Sequence, residues 1–175
     1  IKSSIPGAFT VYNTLAAASL ALDEGIHPIR VQEAIRALEV VDGRLEKVKL
    51  DETKHRFSVY IDYAHTEKAM ENLLKTVSEA KYQNQRLITL FGCGGDRDKS
   101  KRAPMGAVAA KYSDFLIITS DNSRSEEPEQ IIKEIEEGVP EGADYIKITN
   151  RKKAIEYAVE IADENDIVVL AGKGH

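Results

Sequence analysis

Two rhythms divide the chain. From Ala8 to Glu24 the apolar residues Val11, Leu15, Ala18, Leu20 and Leu22 recur at roughly helical spacing, and Gly25 offers a stop. The same spacing predicts a second helix from Ile29 to about Leu38, so the first 40 or so residues read as an αα hairpin. The turn "VVDGR" then leads into "LEKVKL", an alternating run that predicts a short strand. From Phe57 the pattern changes. "FSVYID", "RLITLF", "FLIITS", "DYIKIT" and "DIVVLA" are short apolar runs rich in β-branched residues, with amphipathic segments between them at about 66–81, 99–112, 128–137 and 151–163. Strands that alternate with helices predict right-handed βαβ crossovers and a largely parallel sheet covered on both faces. The expected fold is α/β: a mostly parallel sheet flanked by helices, with an N-terminal helical lead-in and a boundary near residues 42–46.

In an open parallel sheet every strand delivers its C-terminal end to one edge, and ligands bind in the crevice there. Polar clusters follow four of the five runs at that edge: "DYAH" at 62–65, "GCGGDRDKSK" at 92–101, "SDNSR" at 120–124 and "GKGH" at 172–175. Turn chemistry accounts for any one of them. Four at a single edge point to a site.

Composition narrows what that site can bind. A net charge of −5 argues against gripping nucleic acid or an anionic membrane through bulk charge, so any anion must be held locally. No run of about 18 apolar residues suggests a membrane span. The single cysteine, Cys93, excludes an intrachain disulfide framework and fits a reducing, cytoplasmic setting. The chain starts Ile-Lys and stops directly after a strand-like run, which reads as a fragment of something longer.

The clusters carry distinct chemistry. In "FGCGGDRDKSK" the glycines permit close approach of a ligand to backbone, and Arg97 offers a planar fork for a carboxylate or phosphate. This is not a P-loop, because Asp98 stands where G-x-x-x-x-G-K-[ST] needs glycine, and "AGKGH" lacks the following Ser or Thr. Nor is it the dinucleotide fingerprint, since Arg97 occupies the final glycine position of G-x-G-x-x-G. "YIDYAHT" has Ala64 where an aspartate-nucleophile phosphatase needs its second Asp, which removes that reading; Asp62 could accept from a ribose diol instead. His65 reads more readily as a turn residue bonded to backbone than as a general base, and Cys93 as a small buried residue. In "SDNSRSEEP", Asp121 supplies an acceptor for an ammonium, Asn122 supplies both kinds of hydrogen-bonding group, and Arg124 can hold a carboxylate bidentately. Together they suit a zwitterion. An Asx turn feeding a helix that starts at Pro128 explains Asp121 and Asn122 but gives no reason for Arg124.

"GRLEKV", "IDYAHT", "LFGCGGDRDKSKR", "TSDNSR" and "AGKGH", in this order and spacing, resemble the C-terminal part of a Mur ligase, in the branch that adds the third peptide residue to the peptidoglycan precursor. "PGAFTVYNTLAAASLAL" resembles the end of that family's central ATPase domain. The resemblance covers essentially the whole chain. It implies residues 1–44 as the last helices of the central domain and 45–175 as a Rossmann-like domain that presents the incoming amino acid. It implies ATP and Mg²⁺ as cofactors of the full-length enzyme, with none expected bound to this segment alone. ATP would phosphorylate the D-glutamyl carboxylate of UDP-N-acetylmuramoyl-L-alanyl-D-glutamate, and the amine of meso-diaminopimelate would attack the acyl phosphate. By position, Arg97, Asp121, Asn122, Ser123, Arg124 and Gly172 match the substrate-binding set, with Arg124 on the carboxylate that lysine lacks. Asp62 matches a residue near the ATP ribose, Asn13 one near adenine, and Arg44 one that reaches the nucleotide phosphates.

The pattern departs from the family in places. Ser123 replaces the proline of Asp-Asn-Pro-Arg, so the loop loses a fixed φ. Thr10 stands where the family commonly has Asn, and Glu67 where "DYAHTP" has proline. The P-loop and the lysine that the family carbamylates are not in this stretch. Two other readings remain: a non-catalytic Rossmann-type module binding a nucleotide or amino acid in the same crevice, and a ligase of the same family adding another diamino acid such as lysine.

Overall fold

The structure, a computed structural model, describes residues 7–51 and 53–173. It opens with the helical hairpin, α1 (Ala8–Asp23) and α2 (Pro28–Ala37). Pro28 at the first helical position and the His27 ring, which accepts from the Ile29 N–H at 3.3 Å, start α2. The hairpin keeps most of its apolar side chains at the surface: Val11, Tyr12, Leu15, Leu20 and Ile29 are exposed, while Ala18 and Val31 are buried.

Six strands follow: β1 (Glu46–Lys47), β2 (Ser58–Asp62), β3 (Leu87–Phe91), β4 (Phe115–Thr119), β5 (Tyr145–Ile148) and β6 (Ile167–Ala171). They form one sheet in the order β1-β2-β6-β3-β4-β5, parallel throughout except for β1 on β2. "LEKVKL" contributes only two residues as a strand, although the Val48 N–H still reaches the Val59 carbonyl at 2.9 Å. Four helices link the parallel strands: α3 (Glu67–Ala80), α4 (Arg102–Tyr112), α5 (Pro128–Glu136) and α6 (Arg151–Glu160). α4 begins three residues later than its amphipathic pattern predicts. The Asp98 carboxylate accepts from the Ser100 N–H at 2.9 Å and hydroxyl at 2.6 Å, an Asx turn that competes with helix.

Alternation along the strands sorts the core into two layers. Leu87, Phe91, Leu116 and Ile118 face Leu73, Leu74, Met105 and Ile135 of α3, α4 and α5; Ile88, Leu90, Ile117 and Val168 face Ala154 and Ala158 of α6. β3 is buried over its whole length, which is why "LITLF" reads as a continuous apolar run rather than an alternating one. The chain reaches β6 last and inserts it between β2 and β3. The loops after β2, β6, β3 and β4 therefore stand side by side along the C-terminal edge, at a topological switch point.

Candidate functional site

Those four loops enclose a cavity of ≈ 500 Å³, lined by Tyr63, His65, Thr66, Gly94, Arg97, Asp98, Lys101, Asp121, Asn122, Arg124, Gly172 and Lys173. Arg97, Asp121, Asn122, Arg124 and Gly172 are thus brought together from three strand ends. Ser123 sits in the same loop without lining the cavity. Its carbonyl instead closes a turn by accepting from the Glu126 N–H at 3.0 Å.

Arg124 adopts φ 53°, the left-handed region. Its Nη1 donates to the Gly95 carbonyl at 2.8 Å and the Asn122 carbonyl at 3.2 Å. Nε and Nη2 make no hydrogen bond among the described residues. Asp121 accepts the Asn122 N–H on Oδ1 at 2.6 Å, and its Oδ2 lies beside Gly172. Gly172 takes φ 90° and gives its N–H to the Asp62 carbonyl at 3.1 Å, so the carbonyl is the group it can offer. Arg97 makes one long contact, Nη1 to the Asp96 carbonyl at 3.3 Å, and keeps the rest of its fork. Lys101 Nζ donates to the His65 carbonyl at 2.7 Å, joining the loop after β2 to the start of α4. His65 Nδ1 pairs with the Tyr63 carbonyl at 3.0 Å, as a turn residue would. Cys93 is buried against Met105 at 3.9 Å between the sulfurs, and burial pushes its thiol up to about 11, unfit for a nucleophile.

Asn13, Arg44 and Asp62 line a different cavity, of ≈ 550 Å³, between the hairpin and α3, with Ala17, Ile35, Leu38 and Leu73 as apolar walls. Asp62 also has a structural task. Its carboxylate accepts the Ala64 N–H on one oxygen and the Leu45 N–H on the other, both at 2.8 Å, and burial outweighs those bonds in pushing its pKa up. That anchors the segment after the hairpin to the end of β2. Arg44 lies over the Tyr63 ring, 5.4 Å from its centroid.

Sequence reasoning missed the group that holds the crevice together. Arg102 is fully buried and donates to both oxygens of Glu126 at 2.8 and 2.9 Å, to Glu134 at 2.6 Å and to the Gly94 carbonyl at 3.2 Å. Glu126 also accepts the Asp96 N–H at 2.7 Å and Lys99 Nζ at 2.9 Å. The Arg102 hydrogen bonds, then those from Lys99 and Asp96, hold the Glu126 carboxyl well below the usual carboxylate range. The available signal was "SEEP" itself, more acid than a turn into α5 requires, but its partner lies 24 residues away.

The family model for the Mur ligase, glutamate ligase domain matches residues 43–174. A UDP-N-acetylmuramoyl-L-alanyl-D-glutamate--2,6-diaminopimelate ligase from Syntrophomonas wolfei is 50% identical over 177 residues, covering 100% of this chain and 35% of its own. The enzyme of the same name from Alkaliphilus oremlandii is 51% identical, covering 98% of this chain and 34% of its own. A solved structure of a UDP-N-acetylmuramoyl-L-alanyl-D-glutamate--2,6-diaminopimelate ligase superposes with a TM-score of 0.70 at 36% identity, over 100% of this chain and 35% of that one. The chain spans about a third of the length of the relatives it matches.

Proposed function

The chain belongs to the Mur ligase family, and from that premise we propose that residues 45–175 are the amino-acid-binding domain of an ATP-dependent ligase that adds meso-diaminopimelate to UDP-N-acetylmuramoyl-L-alanyl-D-glutamate in peptidoglycan synthesis. Residues 1–44 close the preceding ATPase domain, and the reaction takes place in the cytoplasm.

The observation that carries this reading is the pairing, in one cavity, of two guanidinium forks with the Asp121 carboxylate and Gly172. Asp121 and the Gly172 carbonyl accept from an ammonium. Arg97 and the free edge of Arg124 take carboxylates, Arg124 bidentately. A diamino diacid satisfies all of these at once, whereas lysine leaves one fork unpaired, at a desolvation cost. Fixing the zwitterion at both ends orients the remaining amine toward an acyl group supplied from outside the crevice, so the task of these residues is alignment.

The second cavity fits a nucleotide base: apolar walls, the Asn13 amide, and Arg44 within reach of phosphate. Asp62, already bonded to two amides, shapes that cavity's floor more than it serves a ribose. ATP bound there supplies activation of the precursor carboxylate. Mg²⁺ would accompany the nucleotide phosphates.

The test is product formation by the full-length enzyme from ATP, precursor and either amino acid. The reading expects tripeptide product with meso-diaminopimelate. Product with lysine alone would move the assignment to the lysine-adding branch, and ligand binding without product from either would favour a non-catalytic module.

A further inference from the structure

Arg124 and Asp96 are non-glycine residues in the left-handed region, each at φ 53°, one in each of the two loops that form the guanidinium side of the crevice. Such a conformation is unfavourable for an L-residue and persists only where the surroundings fix it. The surroundings here are specific. Gly95 lies between Gly94, whose carbonyl is held by Arg102, and Asp96, whose N–H is held by Glu126. Gly95 itself gives its N–H to the Asn122 carbonyl at 2.9 Å and receives Arg124 Nη1 on its carbonyl. The Asp96 carboxylate accepts the Ser125 hydroxyl at 2.6 Å and N–H at 3.2 Å. The Gly95 carbonyl that holds Arg124 therefore lies between two residues fixed by the Arg102–Glu126 pair.

Proline at position 123 would stiffen such a loop through a fixed φ. With serine there, the stiffness has to come from elsewhere. We propose that Glu126, locked by Arg102, is a positioning residue for amino-acid specificity: it clamps the loop after β4 onto the loop after β3 and holds Arg124 where its free edge meets the distal carboxylate. This rests on the assignment of Arg124 to that carboxylate. Arg102 and Glu126 touch no ligand; they act through Arg124.

The experiment uses the full-length ligase and compares wild type with Glu126→Gln, Arg124→Ala and the double variant. Glu126→Gln should raise KM for meso-diaminopimelate by about tenfold or more, misplacement being enough for that, with KM for ATP and precursor unchanged and the preference over lysine reduced. In the Arg124→Ala background the same change should have no further effect on that preference, because residues acting as one unit are non-additive. Glu126→Asp should restore part of the preference. Ser125→Ala, at an exposed position, should reproduce a smaller rise in KM and serves if Glu126→Gln fails to fold. Equal worsening of all three KM values, or full additivity with Arg124→Ala, would overturn the clamp while leaving the ligase reading intact. A wild-type enzyme that makes no diaminopimelate product removes both.

Discussion

At Gly95 no side chain fits. An added Cβ would lie 1.8 Å from the Ser123 carbonyl oxygen, so Gly95→Ala has to separate the two loops by more than an ångström. The sheet lies beneath them and is untouched. The variant should therefore keep its far-UV circular dichroism and melt cooperatively while losing meso-diaminopimelate affinity at least about tenfold, measured by titration calorimetry. Glu126 makes a second prediction, in pH. An unfolded glutamate titrates at about 4.3, and in the fold Arg102 holds this carboxyl lower. A depressed pKa contributes stability that is fully present above the unfolded value and is lost as pH falls through the folded one. In urea melts the gap between wild type and Glu126→Gln should stay constant from pH 8 to about 5 and narrow only below about pH 4. A gap that closed between pH 7 and 5 would mean the carboxylate is not held as described.

At the scale of elements, the N-terminal edge of the sheet is pinned as firmly as the C-terminal edge is opened. Asp166, 2% exposed, accepts the Arg86 N–H at 3.2 Å, Arg86 Nη2 at 2.6 Å and the Asp163 N–H at 2.9 Å, tying the starts of β3 and β6 together. Asp166→Asn keeps the shape and loses acceptors, so a loss of roughly 1–3 kcal/mol is expected in urea unfolding, with meso-diaminopimelate binding by the surviving folded protein unchanged. Elements were also where the sequence was most legible. Five apolar runs became five parallel strands, and the spacings at Ala8 and Ile29 became a hairpin. Strand order was not legible, because inserting β6 between β2 and β3 depends on a long-range crossover that no local period records. Its consequence, four polar loops side by side, could be anticipated only as a shared edge. The Arg102–Glu126 pair was invisible for a related reason: an ion pair between the start of a helix and a distant loop leaves no periodic trace. Asp62 stands out by its place at a strand end, but its bonds to the Leu45 and Ala64 amides leave no trace in the sequence.

Over the whole molecule, the proposed function divides the work between two cavities. The one between hairpin and α3 has apolar walls and the nucleotide candidates Asn13 and Arg44; the one over the strand ends has the paired forks and acids. The hairpin carries Val11, Tyr12, Leu15 and Leu20 on its surface, an apolar exposure that supports its proposed place in a neighbouring domain. Such a division makes amino-acid choice separable from ATP use. The most direct measurement is the ratio of kcat/KM for meso-diaminopimelate to that for lysine in the full-length ligase, wild type against Arg124→Ala. Loss of a charge-assisted pair to the distal carboxylate should cost roughly 2–5 kcal/mol, so the ratio should fall by a factor of about 30 or more, with KM for ATP unmoved. An Arg124→Ala enzyme that still prefers meso-diaminopimelate as strongly as wild type would contradict the account.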